Sequence, residues 1–436
     1  VERLNKRLAK HVVVVSYDAF SEDHFDQAKK LPNLQKLVAS GVHSTKLKSV
    51  NPTMTYVVHS TMVTGVYPDK HGVRHNNPLQ PFVEANNQAW HWYRDDLKVP
   101  TIYDVLKANG LTSAGILWPV TAKSSITYNL PEVVAINGEN QALKVMKNGS
   151  PLFCLGLELK YGRIREGTSQ PYLDDFSTAC AVDTIKRKRP NLMLLHLIDL
   201  DDTKHAYGTK GQAVDNVIER MDKRLGDIIK AVEEAGIMDE TVFIVLGDHG
   251  QFDVRFKVHL NNLLKEHGLI EETASGYAWR AYFQSTGGAA YLHVKDDDEE
   301  IKTRALAIVN DIVVDPKYGV KKLYKRAELD ALRVDPSIHY MLEATKGYSF
   351  EDDITDEDVV DLTARGETYA THGYSTEQDN YRCNFIIAGK NIKTQAQLGE
   401  IEMVDIAPTI ARILGIELHD VDGRSLDEVF KADAHK

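Results

Sequence analysis

Four short segments of this chain carry residue types that bind divalent cations. Asp18 closes an apolar run, Asp201 is followed four residues later by His205, Asp248 and His249 stand together between glycines, and His372 precedes Gly373. A mixture of imidazole and carboxylate suits zinc. Two such ions a few ångströms apart clamp both the attacking and the leaving oxygen of a phosphoryl transfer. Each segment alone has a plainer reading. An Asp at a strand end is more often a turn or cap residue, an Asp/His pair four apart is commoner on a helix surface than at a metal, and a loop histidine is ordinarily only that. Gly247 and Gly250 make the Asp248-His249 pair more telling, because glycine lets the backbone turn tightly while two adjacent side chains aim at one spot. It is the joint occurrence of these segments that points to metal-assisted chemistry.

Such residues need a frame that brings distant segments together. Residues 11–16 form a short, β-branched apolar block ending in Tyr17-Asp18, as a buried parallel strand does. The pattern returns at 191–198 and 241–246, each followed soon by acidic residues. Between them, apolar residues at Val214, Val217, Ile218, Met221, Leu225, Ile228 and Ile229 have helical spacing. The stretch 31–37 reads as a helix with Pro32 near its start and Gly41 as its stop. Strands alternating with amphipathic helices predict an α/β fold, a mainly parallel sheet covered on both faces, with ligands beyond the carboxyl ends of its strands.

Residues 255–365 are less regular, with Trp279, the pair Gly287-Gly288 and the acidic run 296–300. They are expected to form an insertion or cap on a catalytic core made of 1–254 and 366–436. The acidic run lacks the ligand and glycine spacing of an EF-hand loop and is expected to be a solvated turn. There is no internal repeat and no low-complexity segment.

With 436 residues, 43% of them hydrophobic and 26% charged, the chain has the composition of an ordinary globular protein able to build a large core. Its formal net charge of -11 repels polyanions, so no stable complex with nucleic acid is expected, and a phosphate ligand must be drawn in locally. Cys154, Cys180 and Cys383 make neither a disulfide framework nor a thiolate metal site. No stretch approaches the roughly 18 to 20 apolar residues of a membrane span, and residues 1–6 lack the apolar region of a signal peptide. These features favour a reducing, cytoplasmic compartment. The first residue is not Met, and a removed N-terminal segment would allow an extracytoplasmic one.

The resemblance becomes specific at Thr55-Tyr56-Val57-Val58-His59, followed by Val63-Thr64-Gly65-Val66-Tyr67-Pro68 and His71-Gly72-Val73. This run resembles the nucleophile region of the nucleotide pyrophosphatase/phosphodiesterase family of the alkaline phosphatase superfamily. The match continues in the family's order through 201–208, 247–250 and 372–374. The resemblance implies a three-layer α/β/α sandwich, alkaline phosphatase-like, with an inserted cap. It implies two divalent ions, zinc being the expected metal: one held by Asp201, His205 and His372, the other by Asp18, Thr55, Asp248 and His249. Thr55 would attack phosphorus to give a phosphothreonine, with Thr53 as the competing hydroxyl. Asn76 falls where the family places an amide on a phosphate oxygen, with Asn77 the alternative should the register slip. His71 is read as structural, and residues 404–415 resemble the superfamily's closing helix.

Trp118, Tyr207 and Tyr374 are candidates for stacking on a base or alcohol group, and equally for core packing. Two positions depart from the family's pattern: Val57-Val58 replaces Pro-Asn, and Lys204 replaces a Gly before His205. Both bear on the shape and charge of the pocket. The expected function is hydrolysis of phosphodiester or pyrophosphate bonds in small nucleotide-type substrates. A phosphomonoesterase or phosphonate hydrolase is the enzymatic alternative, kept open by Lys204, and a noncatalytic phosphate-ligand binding protein is the alternative of another class. Neither a sulfatase's Cys/Ser-x-Pro-x-Arg context nor the Ser of a phosphoglycerate mutase is present around Thr55. The oligomeric state is not legible.

Overall fold

Successive side chains of a strand face opposite ways, so the run Val12-Val13-Val14-Val15 is buried only if both faces of its strand are covered. In the computed structural model, which describes residues 6–434, they are. The main strands are β1 (His11–Tyr17), β2 (Gly41–Lys48), β3 (Ser113–Ile116), β4 (Tyr128–Leu130), β5 (Leu192–Leu197), β6 (Thr241–Leu246) and β7 (Cys383–Gly389). They lie in the order β2-β7-β6-β1-β5-β3-β4, and the short strands Ala396–Gln397 and Ile401–Glu402 complete the sheet beside β2. Neighbours from β6 through β4 are parallel, whereas β7 runs antiparallel to both β6 and β2.

The alternation divides the core in two. Val12 and Val14 of β1, Leu192 and Leu194 of β5, and Val242 and Ile244 of β6 join one apolar cluster. Val13, Val15, Met193, Leu195, Phe243 and Val245 join the other. Eight helices matter below: α1 (Pro32–Ser40), α2 (Thr55–Thr64), α3 (Gln141–Asn148), α4 (Pro151–Tyr161), α5 (Tyr172–Lys188), α6 (Asp199–Tyr207), α7 (Gln212–Glu234) and α8 (Ile406–Leu414). The first cluster takes Val57, Val58, Met62 and Val63 of α2 with Ile406, Ile410 and Ile413 of α8. The second takes Leu34 of α1, Phe176 and Cys180 of α5, and the periodic stripe of α7. These are the three layers expected. Gly41 ends α1 as expected, and opens β2 in extended backbone at φ -143.

Residues 255–365 carry a four-stranded antiparallel sheet, Ala281–Ser285, Ala289–Val294, Met341–Ala344 and Val320–Tyr324, with the helix Glu299–Val314 beside it. A three-stranded sheet of Phe256–His259, Tyr348–Glu351 and Val359–Asp361 lies next to them, and the group shares a third apolar cluster. At its neck Phe252–Asp253 pairs with Ala370–Thr371. The acidic run is an exposed turn that leads straight into a helix: Asp298 caps Glu299–Val314 by accepting from Ile301 N–H at 3.0 Å, and Glu299 and Glu300 sit at the positive end of its dipole.

Leu194 is 1% exposed at the centre of β5. Leu194→Ala is expected to cost about 2–5 kcal/mol through lost burial and the cavity left behind, measured by urea unfolding. Leu152→Ala on the outside of α4 is expected to stay within about 0.5 kcal/mol of the parent.

Candidate active site

Because β6, β1 and β5 are parallel neighbours, their carboxyl ends open side by side, and each is followed at once by a candidate ligand. Asp18 follows β1, Asp248-His249 follows β6, and α6 begins right after β5 with Asp201 and His205 one turn apart on one face. His372 follows the short strand Ala370–Thr371, which pairs with Phe252–Asp253. Candidate ligand atoms of Asp201, His205 and His372 all lie within 4.8 Å of one another, as do those of Asp18, Asp201 and His249. Asp201 thus stands within reach of both groups. Asp248 joins from beneath, its Oδ2 3.3 Å from His249 Nε2.

Each imidazole is held from behind. His205 Nδ1 is 2.7 Å from the Ala370 carbonyl, His372 Nδ1 2.7 Å from the Thr53 carbonyl, and His249 Nδ1 3.0 Å from the Gly250 carbonyl. A carbonyl only accepts, so each Nδ1 carries a proton, and Nε2 is the nitrogen turned toward the carboxylates, which outweigh burial and raise the His205 and His249 imidazoles to about 9; a cation binding there displaces the Nε2 proton. The rings of His249 and His372 stack at 3.7 Å.

The carboxylates are anchored on one side in the same way. Asp248 Oδ1 accepts from Ala19 N–H and His249 N–H, while Oδ2 has no hydrogen-bond partner. Asp201 Oδ1 accepts from Gln251 Nε2 at 2.6 Å. Asp18 Oδ2 meets His196 Nε2 at 3.1 Å, and Oδ1, 3.0 Å from His249 Nε2, makes no aligned hydrogen bond. Burial raises the Asp18 carboxyl, but contacts from His196 and His249 outweigh that and hold it well below the ordinary range. Burial and the Asp18 charge push the Asp248 carboxyl up instead. Carboxylates this close do not all stay ionised without positive charge among them. Two buried carboxylate oxygens without an aligned donor, beside imidazole Nε2 atoms, make a donor set that fits divalent cations such as zinc.

Thr55 is the first residue of α2, at the positive end of its dipole, where anions are favoured. Its Oγ donates to Asp18 Oδ2 at 3.2 Å and lies 3.3 Å from His249 Nε2. Thr53 does not compete: fully buried, its hydroxyl is taken by the Tyr374 carbonyl, Tyr381 Oη and Gly373 N–H. Asp18, Thr55, Asn76, Asp201, His205 and His372 line the floor of a cavity of ≈ 1640 Å³, with Tyr56, Phe82, Trp90 and Tyr282 in its walls. Asn76 Oδ1 accepts from Tyr56 N–H at 2.9 Å, which leaves its amide N–H groups for a ligand. Asn77 is instead engaged through Nδ2 with the Ala89 carbonyl.

Three expected substrate contacts are elsewhere. Trp118 is fully buried, packed edge-on to His59 at 4.8 Å. Tyr374 is buried with its hydroxyl donating to the Tyr348 carbonyl. Tyr207 is 64% exposed, and none of the three lines the cavity. Tyr207 follows His205 by two residues in one helix, a spacing that turns it to the opposite side, and Gly373, at φ 92, separates the directions of His372 and Tyr374. Val57 and Val58 lie in the core, and Lys204 is buried with Nζ donating to the Ala19 carbonyl, so neither departure from the family pattern reaches the cavity. Gly247 and Gly250 serve closeness and not turning. A Cβ at Gly247 would meet the Phe20 carbonyl oxygen at 2.1 Å, and one at Gly250 the Tyr381 ring at 2.8 Å.

His196, Glu132 and Gln251 are supporting residues that sequence reasoning missed. His196 joins Asp18 to the Leu117 carbonyl and, at 3.5 Å, to Glu132. A lone histidine inside the apolar run of β5 was the available signal; Glu132, in a loop, gave none.

The family model described as type I phosphodiesterase / nucleotide pyrophosphatase matches residues 12–375. A venom phosphodiesterase of Naja atra is 23% identical over 431 residues, covering 93% of this chain and 44% of that one. Ectonucleotide pyrophosphatase/phosphodiesterase family member 3 of Rattus norvegicus is 26% identical over 250 residues, covering 55% of this chain and 24% of that one. The chain therefore spans less than half the length of these relatives. Among solved structures, human ectonucleotide pyrophosphatase / phosphodiesterase 5 superposes with TM-score 0.68 at 19% identity, over 97% of this chain and all of that one. An inactive form of the murine protein, solved in complex with AMP, gives the same values.

If the crowded carboxylates await cations, zinc will raise the thermal unfolding midpoint of chelator-treated protein. The gain is about 2.7 kcal/mol at a free concentration 100 times the dissociation constant. His205→Ala is expected to lose part of that rise, as read by calorimetry with and without zinc.

Proposed function

Because the chain belongs to the type I phosphodiesterase / nucleotide pyrophosphatase family, we propose that it hydrolyses phosphodiester or pyrophosphate bonds of small nucleotide-type substrates, with Thr55 as the nucleophile. The observation that carries this reading is the placing of the Thr55 hydroxyl on the cavity floor, between Asp18 Oδ2 and His249 Nε2. One zinc ion would be held by Asp201, His205 and His372, and a second by Asp18, Thr55, Asp248 and His249. When bound, the pair would supply Lewis-acid stabilisation of charge on the reacting phosphate and lower the pKa of a coordinated hydroxyl.

Thr55 Oγ attacks phosphorus while the bond to the leaving oxygen breaks, giving a phosphothreonine and releasing the alcohol or phosphate product. Water then cleaves the threonine ester. A threonine hydroxyl is a poor nucleophile at its free pKa, and here its proton is already directed at Asp18. The start of α2 favours the phosphate's negative charge, and Asn76 donates to a non-bridging oxygen as charge grows on it. Aromatic walls suit the flat or apolar arm of a diester. The monoesterase reading rested on Lys204, and that ammonium is sealed beneath the floor.

Hydrolysis of p-nitrophenyl thymidine 5′-monophosphate beside p-nitrophenyl phosphate, with zinc-loaded protein, tests the reading. Faster diester turnover is expected, reduced at least about 1000-fold in Thr55→Ala. Preference for the monoester overturns the diesterase assignment, and turnover that survives Thr55→Ala overturns the nucleophile. Asn76→Ala is expected to lower kcat about 100- to 1000-fold, as removal of an oxyanion donor does, measured on the same diester.

A further inference from the structure

A helix on a protein surface normally sends one apolar stripe inward and shows water a polar one. Helix α4, PLFCLGLELKY, does not. Cys154 and Leu157 face the core, yet Leu152, Leu155 and Leu159, at i, i+3 and i+7, make a second stripe that is 85%, 42% and 76% exposed. Leu143 of the adjoining α3 is 62% exposed, and Ile164, just past α4, is 37% exposed. Contiguous exposed apolar surface of this kind marks a site that something covers.

Charge identifies the occupant. Residues 139–165 hold the cations Lys144, Lys147, Lys160, Arg163 and Arg165 against Glu139 and Glu158, a net +3 in a chain of net -11, with Lys144 paired to Glu139, Arg165 to Glu158 and Lys160 to Asp183. Lys147 and Arg163 are exposed, and neither has an ion-pair partner among the described residues. Beside Leu143, a cleft of ≈ 260 Å³ is lined by Lys123, Lys144 and Lys147, of which Lys144 is buried and paired with Glu139 of the same cleft, so among the described residues its free cations are Lys123 and Lys147. Exposed leucines with a rim of Lys and Arg match the boundary between acyl chains and anionic head groups. A second copy of the chain would bring this basic rim against itself, which like charges oppose.

The same helices wall the catalytic cavity: Ala142 and Val145 of α3 and Leu155 and Glu158 of α4 line it. We propose that the outer face of α3 and α4 docks on an anionic phospholipid surface and sets the mouth of the cavity against the bilayer. This goes beyond the catalytic reading and does not depend on it, since binding is read without turnover.

The test is co-sedimentation of the full chain with vesicles of phosphatidylcholine alone and of phosphatidylcholine with phosphatidylglycerol. Binding to the anionic vesicles, weakened by salt, is expected. Leu152→Ser with Leu159→Ser is expected to lower the partition coefficient at least about tenfold, as is Lys147→Glu with Arg163→Glu. Both pairs lie outside the catalytic machinery and should keep the parent's unfolding midpoint and its turnover of soluble diester. Should the leucine pair fail to fold, the charge-reversal pair carries the test alone. No binding to anionic vesicles overturns the proposal, as does parental binding by a folded pair. So does a parent that is dimeric by light scattering, ignores vesicles and becomes monomeric when Leu152 and Leu159 are changed.

Discussion

Three carboxylates share one small volume at the ends of β1, β5 and β6, almost out of water, where each unanswered charge costs on the order of several kcal/mol. Much of the polar structure nearby is explained by that crowding. Asp248 is held by two backbone N–H groups, Asp201 by Gln251 and Asp18 by His196, which in turn leans on the Leu117 carbonyl. The three histidines are fixed through Nδ1 to backbone carbonyls contributed by the cap neck, by the loop before α2 and by the Gly250 turn. Side chains fixed from behind need no reorganisation to receive a cation, and it is this rigidity, more than the ligand types, that distinguishes the site from a chance cluster.

The molecule separates its signs of charge. Under the proposed function, global negative charge is set against a local demand for an anionic substrate, which the start of α2 and the candidate cation sites would meet, not lysines. Lys204, the cation nearest to the ligands in sequence, is spent beneath the floor on the Ala19 carbonyl. Lys144 and Lys147 of α3 and Lys160 of α4 lie outside the cavity lining.

The fold and the candidate ligands were readable for one reason: parallel strands are apolar throughout and stop abruptly, so an acidic residue soon after each run stands out. β1, β6 and α7 fall within two residues of where periodicity put them. The proposed nucleophile was readable only through the family's motif, because nothing local sets Thr55 apart from Thr53; three hydrogen bonds that consume Thr53 make the difference in space. The cavity walls were not readable. Trp118, Tyr207 and Tyr374 neighbour site residues in sequence but turn elsewhere, while Trp90 and Tyr282 come from segments without a signal. Support such as Glu132 behind His196 depends on contacts between residues far apart in the chain, which spacing does not encode.

Strand β7 comes from near the end of the chain yet lies between β2 and β6, antiparallel to both, with Phe385 and Ile387 in one apolar cluster and Ile386 and Ala388 in the other. While the chain is being synthesised, β2 and β6 therefore hold open edges toward each other until residues 383–389 emerge, and His372 arrives only shortly before them. The last candidate ligand and the strand that closes the sheet are thus delivered almost together. A nascent or truncated chain has most of the apolar sheet but neither its closing strand nor a complete site. Contacts of such long sequence separation form slowly, so completion of the core and readiness for chemistry become a single late event.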